Sequence, residues 1–209
     1  MFSIAMKKNN FIYFASTNKN KLDEIKSILQ SYKSRKLKTL KIKSAPKWFE
    51  VNENGKTFLE NAFKKASFLS KKLNTIVFAE DSGIEVRALN GKPGIKSARF
   101  FNSGKGMLEI INKLNSKKNR KCCFTAALVV TDEKGEIIFK TQKSWTGTVS
   151  VKPIGNNGFG YDPIFLIPKL NKTSAQISQK LKNKLSHRGM VARDLAKWLR
   201  NYPGRGGKS

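Results

Sequence analysis

Three acidic side chains, Glu80, Asp81 and Glu85, lie within six residues of one another in an otherwise strongly basic chain. Lysine and arginine number 42 against 14 aspartates and glutamates, so the formal net charge is +28. Adjacent carboxylates repel each other, and a hard cation bound beside them relieves that repulsion. Because the apolar run 75–79 precedes the acids, we predict a strand that ends in a loop with Glu80 and Asp81 at its mouth.

Glu53 is a further isolated acid, in the polar stretch 52–55. Together with Glu80 and Asp81 it could hold Mg²⁺, which takes one or two carboxylates along with waters and phosphate oxygens. The alternative is that all three are solvated loop acids. The residues alone leave both interpretations open.

A polar segment, residues 16–21, follows an apolar run and precedes a helical pattern. The run 11–15 predicts a buried strand, and apolar residues then recur at helical spacing over residues 22–29. The start of such a helix offers free backbone N–H groups and the positive end of its dipole, which suits a triphosphate. An ordinary helix cap is the alternative. The segment comprises Ser16, Thr17, Asn18, Lys19, Asn20 and Lys21.

Two segments near the C-terminal end could recognise a flat ring. Gly158 and Gly160 flank Phe159 and permit close approach of the backbone, so Phe159 or Tyr161 could stack on a base while Asp162 contacts its edge. The alternative is a turn with core aromatic residues. The second segment contains the single histidine, His187, followed by Arg188; it could donate hydrogen bonds, although a lone histidine is more often structural.

Strand and helix patterns alternate along the chain, with one hairpin. Thr57 and Glu60 have capping-box spacing at the start of a helix that extends to Leu73. The predicted order includes a strand near Leu40 and Ile42, a helix at 106–114, strands at 122–131 and 136–141 about a turn, a separate strand at 145–151, and a last helix at 191–199 after the His187 segment. This pattern predicts the α/β or α+β class, with a central twisted mixed sheet flanked by helices.

Composition limits the alternatives. The 209 residues suffice for one domain, residues 1–209, and no apolar stretch approaches membrane-spanning length. Cys122 and Cys123 are adjacent and cannot form an ordinary disulfide, which favours a reducing, cytoplasmic compartment. We expect mobile ends at 1–10 and 203–209, with Met6 as an alternative start.

The charge of +28 suggests nucleic-acid binding or a compositional bias of the whole proteome. The basic residues are mostly lysines spread along the whole chain, which favours bias over a nucleic-acid partner.

Five motifs, in order, give the chain a resemblance to the inosine/xanthosine triphosphate pyrophosphatase family. They are STNKNK, ENGKTFLENAFKKA, AEDSGIEVRALNGKPGIKSARF, GFGYDPIF and SHRG. Each is weak alone, but as an ordered set they are specific, and the resemblance runs from about Phe11 to Leu199. It implies a two-lobed α/β fold with a cleft between the lobes, a homodimer, and Mg²⁺-dependent hydrolysis of dITP, ITP and XTP to the monophosphate and pyrophosphate.

The resemblance also implies roles for individual residues. Ser16 to Lys21 and Lys65 would contact the phosphates. Glu53 and Asp81 would bind the metal, with Asp81 as the base that activates water. The side chains implied to contact the rest of the substrate are Ser82, Phe159, Gly160, Tyr161, Asp162, Lys182, His187 and Arg188. The family usually has two aspartates where this chain has Glu80 and Asp81, so the part of Glu80 as a metal ligand stays open.

Two rival functions remain at this point. One is a basic nucleic-acid-binding protein, which would show a steep dependence of affinity on salt. The other is a related pyrophosphatase that removes modified pyrimidine nucleotides, which a substrate panel would distinguish.

Overall fold

The computed structural model describes residues 11–102 and 106–202. The expectations for the chain ends, and for Met6 as a start, lie outside these residues. Within them the sheet has seven strands: β1 (Phe11–Phe14), β2 (Lys41–Ser44), β3 (Val77–Val86), β4 (Lys121–Thr131), β5 (Ile137–Val149), β6 (Phe165–Ile167) and β7 (Lys172–Thr173).

The strand order is β2-β1-β3-β4-β5-β6-β7. Strand β1 pairs in parallel with β2 and β3, whereas β6 pairs antiparallel with β5 and β7. The sheet is therefore mixed, and the predicted class is confirmed. The seven helices of the same residues are α1 (Lys19–Gln30), α2 (Arg35–Thr39), α3 (Phe58–Leu73), α4 (Ser97–Asn102), α5 (Gly106–Lys113), α6 (Gln179–Leu185) and α7 (His187–Asn201).

A side-chain cap is present at both of these predicted helix starts. The Asn18 side chain accepts a hydrogen bond from the Lys21 N–H at the start of α1, and the Thr57 hydroxyl accepts one from the Glu60 N–H at the start of α3. The return contact differs from an ideal capping box, because Glu60 Oε2 accepts from the N–H of Lys56, at 2.7 Å, rather than from that of Thr57. The starts of α1 and α3 are thus set by local side chains.

The chain divides into two compact units. The first comprises residues 11–81, 127–142 and 191–202 of the described chain, and the second comprises Ser82–Ala126 and Lys143–Met190. The core of the first is rich in alanine, with Ala62, Ala66 and Leu69 of α3 packed on β3 and β4. The core of the second is aromatic, with Phe124 and Phe165 stacked at 4.4 Å between centroids.

Three expectations were wrong in their boundaries. Strand β3 does not end before the acids: it continues through Glu80 and Asp81 to Val86, since buried Ile84 and Val86 extend its apolar pattern and lysines neutralise the acids within the strand. Strand β5 is continuous, so residues 136–141 and 145–151 do not form two strands. Its polar middle segment is mostly exposed, which hides the strand from an apolar pattern.

The last helix also starts earlier than predicted. His187 and Arg188 form its first turn, with Ser186 Oγ accepting from the Gly189 N–H at 3.0 Å. The short helices α2, α4 and α6 were not predicted. They are only five to seven residues long, and a pattern that short carries little helical periodicity.

Candidate active site

In the first unit, one buried ammonium group contacts two of the predicted acids. Lys65, on α3, lies with its Nζ 3.1 Å from Asp81 Oδ1 and 3.1 Å from Glu53 Oε1. The same Nζ donates to the Glu80 carbonyl oxygen at 3.1 Å. Because Asp81 Oδ1 and Glu53 Oε1 contact the same nitrogen, their separation is at most twice 3.1 Å. The structure thus brings Glu53 and Asp81 to the same ammonium group.

This cluster alters the protonation of its members. Burial raises the pKa of the Asp81 carboxyl above its ordinary value, and the nearby ammonium groups of Lys65 and Lys21 only partly oppose that effect. Burial alone would lower the pKa of Lys65, but the charges of Asp81, Glu53 and Glu80 outweigh it, so that pKa is raised. Lys65 therefore stays an ammonium, and Asp81 is a stronger base than a solvated aspartate.

Asp81 has a second partner that the sequence did not suggest. Asn61, fully buried on α3, donates from Nδ2 to Asp81 Oδ2 at 3.3 Å and accepts the Gly55 N–H on Oδ1 at 2.8 Å. The available signal was a polar residue on the apolar face of α3, one turn before Lys65. A helical pattern drawn from apolar residues alone does not include Asn61.

Glu80 forms an ion pair with a different lysine. Its side chain is fully buried and its Oε2 is 2.8 Å from Lys21 Nζ, an ion pair that joins β3 to the first turn of α1. The extra methylene relative to aspartate extends the carboxylate toward this lysine. The geometry thus presents Glu80 as the partner of Lys21.

The segment before α1 combines capping with exposed polar groups. Asn18 caps the helix, and Ser16 Oγ accepts the Asn18 N–H at 3.1 Å. The side chains of Thr17, Lys19 and Asn20 are exposed. This segment follows β1, which lies beside β3 in the sheet and pairs with it at Tyr13 and Phe14. Segment 16–21 therefore belongs to the same unit as the acids.

In the second unit, Asp162 is the centre of a buried network. Lys182 Nζ lies 2.5 Å from Asp162 Oδ2, and both side chains are 3% exposed. Asp162 Oδ2 also accepts the Phe159 N–H at 2.8 Å, and Oδ1 accepts the Ser174 hydroxyl at 2.8 Å. Asp162 thereby holds the loop that carries Phe159. Ser174, a residue that the sequence did not single out, completes its hydrogen bonds.

The glycines around Phe159 are required by this network. Gly158 and Gly160 have φ of 75° and 62°, in the left-handed region that glycine tolerates best. A Cβ at Gly158 would lie on the Asp162 carboxylate. The Phe159 ring has cations nearby, with Lys182 Nζ 5.0 Å and Arg188 Cζ 5.3 Å from its centroid. The glycine-rich loop is thus built around Asp162.

Tyr161, His187 and Arg188 of this unit are buried, whereas Ser82 is half-buried. Arg188 donates to Ser82 Oγ at 2.8 Å. The His187 ring stacks on Phe124 with centroids 4.8 Å apart. Tyr161 is only 5% exposed, and its hydroxyl donates to the Ser97 carbonyl at 2.9 Å, so its ring belongs to the core. Phe159, half-buried, is the better placed of the two aromatic residues to contact a ligand.

The chain is similar to known proteins over most of its length. Residues 12–198 match the model of the Ham1 family. A dITP/XTP pyrophosphatase of Clostridium perfringens is 40% identical over 193 residues, covering 87% of this chain and 93% of that protein. One from Staphylococcus aureus strain MW2 is 40% identical over 182 residues, covering 85% and 90% respectively.

Solved structures match as well. The Staphylococcus aureus Ham1 protein has a TM-score of 0.77 at 36% identity, covering 90% of this chain and 97% of that one. A HAM1 protein of Coxiella burnetii has a TM-score of 0.77 at 29% identity, covering 90% and 98%. The chain belongs to the Ham1 family. The names of its relatives agree with the resemblance drawn from the five motifs.

Two sequence expectations on cysteines and membranes can be compared with the structure. Cys122 and Cys123 are both free thiols, the first buried and the second half-buried. Over residues 11–102 and 106–202, no helix combines the length and apolar character needed to cross a membrane.

Proposed function

We propose that this protein hydrolyses dITP, ITP and XTP to the nucleoside monophosphate and pyrophosphate, and so removes non-standard purines from the nucleotide pool. Membership of the Ham1 family and the names of relatives at about 40% identity support the reaction. The observation that carries the proposal is the position of Lys65 between Glu53 and Asp81. It gathers in one unit the charges that phosphoryl chemistry requires.

Glu53 and Asp81 are the proposed ligands of Mg²⁺. Two converging carboxylates suit a hard cation that also takes waters and substrate phosphates. Among residues 11–102 and 106–202 there is no group of three or more histidine, cysteine or acidic side chains that could hold a metal. When bound, Mg²⁺ supplies neutralisation of the phosphate charge.

The protein's own groups perform the remaining steps. Asp81 accepts a proton from the attacking water, a role favoured by the raised pKa of its carboxyl. Lys21 and Lys65 neutralise negative charge on the phosphates, and segment 16–21 adds the N–H groups at the start of α1. Glu80 holds Lys21 in place and is not a metal ligand in this proposal.

The second unit binds the base. Phe159 offers a ring face, and Lys182 with Asp162 fixes the loop that carries it. Hypoxanthine and xanthine have a 6-keto acceptor where adenine has a 6-amino donor. Donors from His187 and Arg188 would pair with the first and be left unpaired against the second, and such sites discriminate strongly. Ser82, whose hydroxyl oxygen accepts a hydrogen bond from Arg188, would also contact the substrate.

A panel of substrates tests this assignment. Initial rates with Mg²⁺ are expected to be highest for ITP, XTP and dITP and far lower for ATP. Equal rates on ATP, or a preference for modified pyrimidine triphosphates, would overturn it. Tight, salt-dependent binding of single-stranded or duplex DNA, without turnover of any triphosphate, would favour the nucleic-acid alternative.

We further propose a homodimer in the cytoplasm. The family resemblance supports the dimer, and two free cysteines are compatible with a reducing compartment. Light scattering coupled to size exclusion tests the first statement: a mass near the 23.5 kDa of one chain would contradict it.

A further inference from the structure

Asn61 occupies a position that connects the segments of both proposed metal ligands. It is fully buried, although asparagine is usually exposed. Its amide is bonded on both sides: Oδ1 accepts the N–H of Gly55, two residues after Glu53, and Nδ2 donates to Asp81 Oδ2. One side chain on α3 thus ties the Glu53 loop to strand β3.

The chemistry of the two partners determines which group asparagine must present to each. Gly55 offers a backbone N–H, which needs an acceptor, and Asp81 offers a carboxylate oxygen, which needs a donor. A primary amide supplies one of each at this spacing. Aspartate has the same shape but only acceptors when ionised, and alanine has neither group. The site therefore selects an amide.

Close packing holds the Asn61 amide against the loop that carries Glu53. A Cβ added at Gly55 would lie 2.6 Å from Asn61 Oδ1 and 2.9 Å from Glu60 Cβ. The backbone N–H of Gly55 approaches the amide closely because glycine has no side chain there. The loop that carries Glu53 is thereby held against the first turns of α3.

Asn61 and Lys65 divide the Asp81 carboxylate between them. Lys65 contacts Oδ1 and Asn61 contacts Oδ2, so the plane of the carboxylate is defined from both ends. Groups that orient ligands from behind are nearly as important as the ligands, because their loss allows the ligand to rotate.

We propose that Asn61 is a positioning residue that sets the orientation of Asp81 and the place of the Glu53 loop for the reaction. This inference rests on the proposed function for its effect on turnover, but its structural part does not. Asn61→Ala is expected to free the Gly55 amide, so that its hydrogen exchange accelerates at least about 10-fold. The same variant is expected to weaken binding of Mn²⁺ alone by about 10-fold or more.

Kinetics separate positioning from folding. Asn61→Asp keeps the acceptor for Gly55 and loses the donor to Asp81, so the Gly55 amide should remain protected while kcat for ITP falls about 10- to 100-fold, with KM changed less than about 3-fold. Gly55→Ala should also lower kcat, because the added Cβ would disturb the hydrogen bond between the Gly55 N–H and Asn61 Oδ1. Ser70→Ala is the control, because Ser70 is a fully buried polar residue of the same helix whose hydroxyl contacts Thr131 and the Ser67 carbonyl.

The outcomes distinguish the two proposals. If the wild-type protein does not hydrolyse ITP, the proposed function fails. Hydrogen exchange at Gly55 and titration with Mn²⁺ then still test whether Asn61 positions the Glu53 loop and Asp81. Wild-type exchange at Gly55 and wild-type Mn²⁺ affinity in Asn61→Ala would overturn the inference. So would a wild-type kcat in Asn61→Asp when the wild-type protein is active. A loss shared equally by Ser70→Ala would mean general destabilisation and would also overturn it.

Discussion

Lys21 and Glu80 form an ion pair in which one partner can reach water and the other cannot. Their charged atoms are 2.8 Å apart, and the side chains are 16% and 0% exposed respectively. The pair connects the first turn of α1 to the middle of β3. It therefore couples the proposed phosphate-binding segment to the strand that carries Asp81.

This difference in exposure predicts unequal effects of removing each partner. Lys21→Met leaves a buried carboxylate without its ammonium and should cost about 3–5 kcal/mol of unfolding free energy. Glu80→Gln should cost clearly less, because Lys21 can turn toward solvent. Urea denaturation at pH 7 measures both. Equal losses, or a larger loss for Glu80→Gln, would contradict the account.

The family's aspartate at position 80 gives a second prediction. Glu80→Asp shortens the side chain by one methylene and should lengthen the contact with Lys21, so KM for ITP is expected to rise several-fold. Mn²⁺ affinity should stay unchanged, because Glu80 is not proposed as a ligand. Weaker Mn²⁺ binding in this variant would instead identify Glu80 as a ligand.

Asp81→Asn removes the proposed base while preserving shape. We expect the variant to fold and to lose about 10²- to 10⁴-fold in kcat for ITP, the usual contribution of a general base. Circular dichroism and initial rates test the two parts separately. Turnover near the wild-type rate would remove Asp81 from the mechanism.

Arg188→Met should reduce discrimination between ITP and ATP. The arginine is buried and bonded to Ser82, so its loss removes a donor and also disturbs Ser82. The ratio of kcat/KM for the two substrates is expected to fall by about 10-fold or more. Arg87→Met, at an exposed arginine of the same unit, is the matched control and should leave the ratio unchanged.

The thiols give a prediction independent of function. Burial raises the pKa of Cys122 to about 12, and burial together with the nearby Glu85 raises that of Cys123. Since only the thiolate reacts, alkylation by iodoacetamide at pH 8 should be slow in the native protein and fast in urea. Glu85→Gln removes the negative charge beside Cys123, lowers the pKa of that thiol, and should speed its alkylation while Cys122 stays slow. No change at Cys123 would contradict this.

Local signals were sufficient for much of the fold. The polar residues 16–18 and Thr57 marked the starts of their helices because capping acts within three residues. The path of β3 through Glu80 and Asp81 could not be predicted locally, because Lys21 and Lys65, which neutralise those acids, come from distant segments. The sequence identified the adjacent acids. It did not show that Glu80 pairs with Lys21 while Asp81 pairs with Lys65.

Asn61 and Ser174 were missed for the same reason. Asn61 contacts Asp81, 20 residues away in sequence, as well as Gly55, and Ser174 contacts Asp162, 12 residues away. Spacing within an element can show that a polar residue lies on a buried face, but only the fold shows what it contacts there.

The identity of the products tests the central claim most directly. ITP incubated with the protein and Mg²⁺ should give inosine monophosphate and pyrophosphate in equal amounts, resolved by phosphorus NMR. ATP should be consumed far more slowly, and Asp81→Asn should consume ITP about 10²- to 10⁴-fold more slowly than the wild-type protein. Release of orthophosphate and inosine diphosphate, or consumption of ATP at the same rate as ITP, would contradict the proposed function.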